Sequence, residues 1–462
     1  MDCNLMGVGE LSHSIGARRI AHSTDCNFRS VSIDSRNVKD GCLFFALKGQ
    51  NCDGHSFVKD AFEKGACAAV VDSSKLKSFN LEDIAKKAGK DLIVVQDTLK
   101  GFQDSAMVYL EKFPELVKIG ITGSSGKTTT KEITAAIISC EKNTVINKGN
   151  LNSETGLPLS VFEVRKDHKA GIFELGMNRT GEISEIAFVL KPNIAAVTNI
   201  GSAHIEYFGS KDKILNEKKC IFNYLKNDDI AIIPADDEYA SRLAEGVKAK
   251  ICYYGEKCFN ELEGTRSLGL QGTEITWAGE KIHFALPGKH NLHDAMAAIA
   301  IAKEIRVSNS SIKKGLETVK PLFGRLEILK GKITVIRDCY NASPESMAKS
   351  IEFCDSVEWE KNKIYVIGDM LELGDSSKAA HAEVGEILVK SCADKIFLFG
   401  NETAFTAEKL ANSGKSFFHT DNIEQLSNAV ESCLQENDLV LLKASRGCAL
   451  ERLTDMLTGG NK

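Results

Sequence analysis

Residues 117–130 read Val-Lys-Ile-Gly-Ile-Thr-Gly-Ser-Ser-Gly-Lys-Thr-Thr-Thr. An apolar run breaks into a glycine turn and then opens a helical pattern. This stretch constrains the chain more than any other, because a strand, a glycine loop and a helix in that order form a cradle for a phosphate chain. Glycines let the backbone approach an anion, the N–H groups and the helix dipole face it, and the lysine adds a point charge. The first glycine of the longer G-x-x-x-x-G-K-[ST] pattern would fall at 121, which is Ile121. The loop is therefore the shorter G-x-x-G-K-T form, with Gly123, Ser124, Ser125, Gly126, Lys127, Thr128 and Thr129 as candidate phosphate contacts and the Thr128 hydroxyl as a candidate magnesium ligand.

Such a loop belongs to α/β architecture, and the remaining sequence agrees. Short runs rich in Val, Ile and Phe recur between helix-like stretches, which predicts parallel sheets wrapped by helices. Strands are expected over 42–47, 68–71 and 92–95, with a helix over 57–64. After the strand 117–122 and the helix 127–140 come strands over 171–175 and 194–199, and an Ala-rich helix over 291–305. The segment 321–324, Pro-Leu-Phe-Gly, punctuates the chain as a linker does. Strands follow over 333–337, 363–367, 395–399 and 439–443. Three blocks result: 1–97, 98–319 and 320–462.

The composition excludes several classes. Of the 462 residues, 43% are hydrophobic and 26% charged, which is the make-up of a globular chain with enough apolar material for several cores. The net charge of −5 leaves no global basic footprint for nucleic acid. Neither a signal peptide nor an apolar run of the roughly 18 residues needed for a membrane helix is apparent, so a cytoplasmic location is expected. The 14 cysteines, Cys3 among them, form no C-x-x-C pair, so reduced and mostly buried thiols are expected rather than a zinc site or redox dithiol.

Three further residues suggest chemistry. Glu174 ends the strand Ile172-Phe173-Glu174-Leu175, at the carboxyl edge where open α/β sheets bind ligands, and could face the same magnesium as Thr128. His204, in the run Thr198–Ser210, is a candidate second ligand or orienting group. Lys218, by its position alone, reads as a helix lysine.

Taken together, these stretches resemble the Mur ligase superfamily, ATP-dependent enzymes that build the peptide of the bacterial cell-wall precursor. The resemblance rests on Asp34-Ser35-Arg36, Phe44-Phe45-Ala46-Leu47-Lys48-Gly49 and Asp53-Gly54-His55, then on Glu174-Leu175-Gly176-Met177-Asn178. It continues through Asp338-Cys339-Tyr340-Asn341-Ala342-Ser343-Pro344 and Gly368-Asp369-Met370-Leu371-Glu372-Leu373-Gly374. The last three stretches favour the branch that joins D-alanyl-D-alanine to UDP-N-acetylmuramoyl-tripeptide.

The resemblance implies a UDP-sugar domain, a central ATPase and a Rossmann-like C-terminal domain. It implies that Ser35, Arg36, Lys48 and His55 hold the uridine diphosphate end, and that Asn152 and Glu154 meet the muramoyl peptide. Lys218, with Lys219 as the neighbouring alternative, would become a carbamate that helps hold a second magnesium ion. Asn291 would read adenine, Asp338 the ribose and Arg325 the terminal phosphate, while Lys443, Ser445 and Arg446 would face the site. Ser153, Thr155 and Asp294 depart from the family pattern. Substrates are expected to be small molecules, the protein a monomer, and the reaction to pass through an acyl phosphate with Lys127, Glu174, His204, Lys218 and Arg325 in catalytic positions.

Overall fold

The computed structural model describes residues 4–459, so Cys3 lies outside the described residues. The chain divides into two compact units. One holds the residues up to Gly120 with Lys142–Met177 and Glu182–Asn193. The other holds Ile121–Glu141, Asn178–Gly181 and the chain from Ile194 onward.

In the first unit a five-stranded sheet runs in the order Arg18–Ile20, Asp91–Val95, Ala68–Asp72, Cys42–Phe45, Ser30–Ser32. Only the pairing of Arg18–Ile20 is antiparallel. The apolar strands account for it: Phe44, Ala69, Val71 and Leu92 pack on Val58, Ala61 and Phe62 of the helix Val58–Glu63. In the same unit Ala170–Glu174 pairs in parallel with Thr144–Ile146.

In the second unit Ile194–Val197, Ile230–Pro234 and Lys250–Tyr254 pair in parallel. The helix Lys127–Ile138 packs on the helix Lys289–Glu304, whose buried alanines at 295, 297, 298, 300 and 302 allow a close approach. A six-stranded sheet follows, in the order Glu327–Lys330, Thr334–Asp338, Leu439–Lys443, Lys363–Gly368, Lys395–Phe399, Phe417–Thr420. Both its faces are buried. Ile336, Tyr365, Ile367, Leu439 and Leu441 point to one core, and Val335, Ile364, Val366, Val440 and Leu442 to the other. Strands buried on both faces read as continuous apolar runs, which is why the expected and observed bounds agree here to within a residue or so.

The α/β reading with mostly parallel sheets holds, and Leu262–Ser267, Thr273–Trp277 and Glu280–Phe284 add an antiparallel sheet for which no strands were expected. Ala278 and Gly279, both at positive φ (+49° and +79°), make the two-residue turn that closes the second hairpin. Ile275, Trp277, Ile282 and Phe284 face inward while Glu274 and Lys281 pair outside. The cysteines were expected to be mostly buried. All thirteen among the described residues are free, but only Cys42, Cys67, Cys339, Cys354 and Cys448 are buried. The exposed Cys52, Cys258 and Cys392 sit in connecting segments that have no core to enter.

Candidate active site

The glycine loop leaves the strand Val117–Thr122 and enters the helix Lys127–Ile138 through Gly126, the residue before the helix, at φ +78°. Its shape is fixed from outside. Ser124 N–H donates to the Asn199 carbonyl (3.0 Å) and Ser125 N–H to Asn199 Oδ1 (3.1 Å). The Ser125 carbonyl accepts from the Thr198 hydroxyl (2.5 Å) and from Asn199 Nδ2 (3.0 Å). Gly123, at φ +153°, lies so close to Thr198 that a Cβ there would run into its Oγ1. Two amines converge on the Gly123 carbonyl, Lys127 Nζ and Lys218 Nζ, each at 2.9 Å.

Lys218 is fully buried, and Lys219 points outward to the Arg242 carbonyl at 2.6 Å. Burial, reinforced by the charge of Lys127, holds the Lys218 amine well below its ordinary pKa, with Glu217 pulling the other way. Glu217 itself accepts from the Gly181 N–H at 2.7 Å. Arg325 stacks on the Tyr340 ring (4.1 Å) and donates through Nη2 to Thr128 Oγ1 at 2.9 Å, so it meets the glycine loop and its helix from the C-terminal block. Thr129 is buried.

Asp294 packs its carboxyl against Gly126 inside the helix Lys289–Glu304, well past the capping position held by Gly288. Burial pushes its pKa up to about 8, against the opposing charges of Lys349 and Arg325. Neighbouring His290 is pushed down to about 4 by burial, opposed by Asp338. Asn291 is buried and donates to the Pro287 carbonyl at 2.7 Å.

At the carboxyl ends of adjacent strands, Asp338 Oδ2 meets Lys443 Nζ at 2.9 Å and accepts from Ser350, while Oδ1 accepts from the Leu326 N–H. Ser445 accepts from Leu371 N–H, and Arg446 pairs with Glu451 at 2.9 Å. His204, at φ +67°, sets Nδ1 2.7 Å from Glu372 Oε2.

In the first unit, Glu174 is buried. Its backbone is bracketed by Asn147, whose Oδ1 accepts from Glu174 N–H and whose Nδ2 donates to the Glu174 carbonyl, both at 2.9 Å. Asn152 Nδ2 donates to Glu174 Oε1 at 2.8 Å, so the expected peptide loop and the strand-end carboxylate are joined. The Glu154 carbonyl accepts from Gln103.

Of the N-terminal candidates, Arg36 and His55 are each held by a nearby aspartate. Arg36, exposed, donates to both oxygens of Asp34, and those bonds hold the Asp34 pKa at about 2. His55 is buried with both nitrogens occupied: Nδ1 faces Asp53 Oδ1 at 2.6 Å, and Nε2 accepts from Asp72 N–H at 2.9 Å. Ser35 is buried and its carbonyl accepts from Lys64. Lys48 is exposed, on a bridge with Asp53.

Sequence reasoning gave no role to Asn147, Thr198, Asn199, Glu217, Glu345 or Glu372. Thr198 and Asn199 stood in a run already picked out, but their roles depend on a loop more than 70 residues away. Among the described residues no group of three or more His, Cys, Asp and Glu is gathered for a metal ion, and no helix is long and apolar enough to cross a membrane.

The sequence matches three families in succession: "Mur ligase family, catalytic domain" over residues 27–105, "Mur ligase middle domain" over 121–302 and "Mur ligase, glutamate ligase domain" over 324–446. A curated relative from Treponema pallidum, UDP-N-acetylmuramoyl-tripeptide–D-alanyl-D-alanine ligase, is 38% identical over 456 residues, covering 98% of this chain and 99% of its own. A crystal structure of MurF from Acinetobacter baumannii superposes with a TM-score of 0.86 at 30% identity, covering 97% of this chain and 98% of that one. The MurF ligase of Thermotoga maritima in complex with ADP gives 0.78 at 26% identity, covering 93% and 97%.

Proposed function

The chain belongs to the Mur ligase family, and we propose that it joins D-alanyl-D-alanine to UDP-N-acetylmuramoyl-tripeptide at the expense of ATP, in peptidoglycan precursor synthesis. The observation that carries this reading is the likeness, over 98% of the chain, to a curated ligase of that name.

A carboxylate and an amine do not condense readily in water, because the departing oxygen is a poor leaving group. In the proposed reaction the tripeptide carboxylate attacks the γ-phosphate of ATP, giving an acyl phosphate and ADP. The dipeptide amine then attacks the acyl carbon, and phosphate leaves. Lys127 would turn from the Gly123 carbonyl to the phosphates, and Arg325 would reach the transferring group from beside Thr128, where two cations can neutralise developing charge. We assign the adenine to Asn291, the ribose to Asp338, and Lys443, Ser445 and Arg446 to the surface facing the reaction. Ser35, Arg36, Lys48 and His55 are assigned to the uridine diphosphate end, and Asn152 and Glu154 to the muramoyl peptide. In this reading residues 1–97 take the UDP-sugar, 98–319 the ATP and 320–462 close the site against water, which would otherwise hydrolyse the acyl phosphate.

The hydroxyl of Thr128 and the carboxylate of Glu174 are oxygen donors of the kind magnesium prefers, and His204 would add its Nε2. Among the described residues no group of three or more His, Cys, Asp and Glu is gathered there, so these three side chains would hold the ion together with the nucleotide's own oxygens. When bound, magnesium would supply charge neutralisation on the transferring phosphate. Carbon dioxide adds only to a neutral amine, and Lys218 is held towards that form by burial, which suits a carbamate. A ligation rate unchanged by carbon dioxide depletion would exclude it. A cytoplasmic monomer acting on small molecules completes the proposal.

The test is phosphate release with ATP, magnesium and UDP-N-acetylmuramoyl-tripeptide, with product mass measured. A gain of one dipeptide less water, with D-alanyl-D-alanine and not with single amino acids, is expected. Ligation of a free amino acid alone would move the chain to a sister ligase.

A further inference from the structure

Glu345 has no part in the chemistry above, yet its carboxylate is the end of a short relay to the phosphate loop. It is the second residue of the helix Pro344–Ser356, where the helix dipole favours a negative charge. Its Oε1 accepts from both the backbone N–H (3.0 Å) and the hydroxyl (2.8 Å) of Ser202, and pairs with Lys211 Nζ at 3.1 Å. Burial works against the charge, but bonds from its own backbone N–H, from Ser202 and from Lys211 outweigh it and keep the carboxyl below its ordinary pKa.

The relay continues one residue back. Gly201 N–H donates to Ser124 Oγ at 2.8 Å, the Ser124 hydroxyl lies 3.1 Å from the Gly201 carbonyl, and Ser124 is the second residue of the phosphate loop. The Glu345 carboxyl lies directly over Gly201: a Cβ at 201 would stand 3.2 Å from Glu345 Cδ and 3.3 Å from Oε2. Oε2 itself is buried and makes no hydrogen bond. An unmatched buried carboxylate oxygen is costly, so this contact is an expensive way merely to join two surfaces. Arg325 with Thr128 and Glu372 with His204 already join them.

We propose that Glu345 is a positioning residue of the ligation. Seating the helix Pro344–Ser356 through Glu345 fixes Gly201 and Ser202, and through them holds Ser124 in the loop shape that phosphoryl transfer needs. The C-terminal block thus reports its docking to the phosphate loop by a route separate from the nucleotide contacts. The inference rests on the proposed reading that ATP-driven ligation requires both parts of this unit together.

The test uses full-length Glu345→Ala, Glu345→Gln and Gly201→Ala, with unfolding temperature, ligation kinetics and small-angle scattering. Scattering is recorded with and without a non-hydrolysable ATP analogue plus UDP-N-acetylmuramoyl-tripeptide. Glu345→Ala is expected to lower kcat roughly 30-fold at saturating ATP while ATP affinity stays within about threefold, because a misplaced group costs rate more than binding. The same variant should weaken the compaction caused by the analogue. Glu345→Gln keeps an oxygen for Ser202 and should recover kcat to within about threefold of the parent. Should Glu345→Ala fail to fold, Gly201→Ala, whose Cβ would stand 3.2 Å from Glu345 Cδ and crowd the carboxyl from the other side, should lower kcat in the same direction by about threefold or more. Unchanged kcat and compaction in Glu345→Ala, or in Gly201→Ala where the first variant does not fold, would overturn the proposal. So would a Gln variant as slow as Ala. If the parent fails to ligate D-alanyl-D-alanine at all, the functional reading falls, and loss or persistence of compaction in the variants still decides the role of Glu345.

Discussion

The phosphate loop and the N-terminal turns at residues 34–36 and 53–55 are both short polar motifs, but they are held in opposite ways. The loop is fixed by residues far along the chain: Asn199 lies 74 positions from Ser125, and Lys218 lies 95 from Gly123. The turns are shaped first by side chains two positions away, Asp34 under Arg36 and Asp53 under His55, with Lys64 reaching the Ser35 carbonyl and the Asp72 N–H reaching His55 from farther along the chain. A motif held mainly from a distance is only as good as the fold around it, whereas one shaped mainly by its neighbours depends on that fold less. Damage to the loop should therefore reach both architecture and chemistry, while damage at Arg36 should stay within binding.

The largest effect is expected from Lys127→Ala. Lys127 Nζ donates to the Gly123 carbonyl inside the loop and would transfer to the nucleotide. Its loss should lower kcat/KM for ATP by about a thousandfold and, by removing a bond within the loop, lower the unfolding temperature by a few degrees. Phosphate-release kinetics with thermal unfolding check both halves, and a loss below tenfold would put the lysine outside the transfer step.

Next comes Gly123→Ala, which drives a Cβ into Thr198 Oγ1 at a φ that side chains avoid. A destabilisation of about 2–3 kcal/mol is expected, with weaker ATP binding. If the variant unfolds at the parent temperature and binds ATP normally, the loop is more adaptable than its long-range bonds imply, and the contrast with the N-terminal turns fails.

That contrast also explains what could be read from the sequence. The loop was legible because glycines, Lys127 and Thr128 announce themselves locally, and the strands 395–399 and 439–443 were legible because near-continuous apolar runs mark burial on two faces. The antiparallel sheet at 262–284 was missed because strands alternating between inside and outside carry few consecutive apolar residues, although Ala278-Gly279 marked its turn. Asn147 and Glu345 were invisible because their meaning lies in partners 27 and 143 residues away. His55 was singled out, yet only the structure shows that both ring nitrogens are engaged within the fold.

Asp294 sharpens the comparison from the loop side, since it is a buried acid beside Gly126. Its pKa is raised from the ordinary carboxylate range to about 8. The folded protein therefore holds a proton that the unfolded chain has released above about pH 4. Stability falls as pH rises between those values and levels off above about 8. Asp294→Asn removes this term, so its unfolding temperature should gain on the parent by a few degrees between pH 5 and pH 8 and gain no more beyond. A difference that does not change with pH would mean that the carboxyl is ionised throughout.

The smallest effect is expected at Arg36. The side chain is 85% exposed and gives its donors to Asp34. A pyrophosphate would have to compete with that carboxylate for the guanidinium, so part of the attraction is already spent in the free protein. Arg36→Ala should accordingly raise KM for UDP-N-acetylmuramoyl-tripeptide by only about three- to tenfold, leaving kcat and the unfolding temperature unchanged. Asp34 also accepts the Arg36 N–H that starts the turn, so Asp34→Asn, which keeps an oxygen for that bond while releasing the arginine, should lower KM slightly. If Arg36→Ala instead lowers kcat, the N-terminal turn takes part in the transition state as the loop does, and local support does not confine a residue to binding.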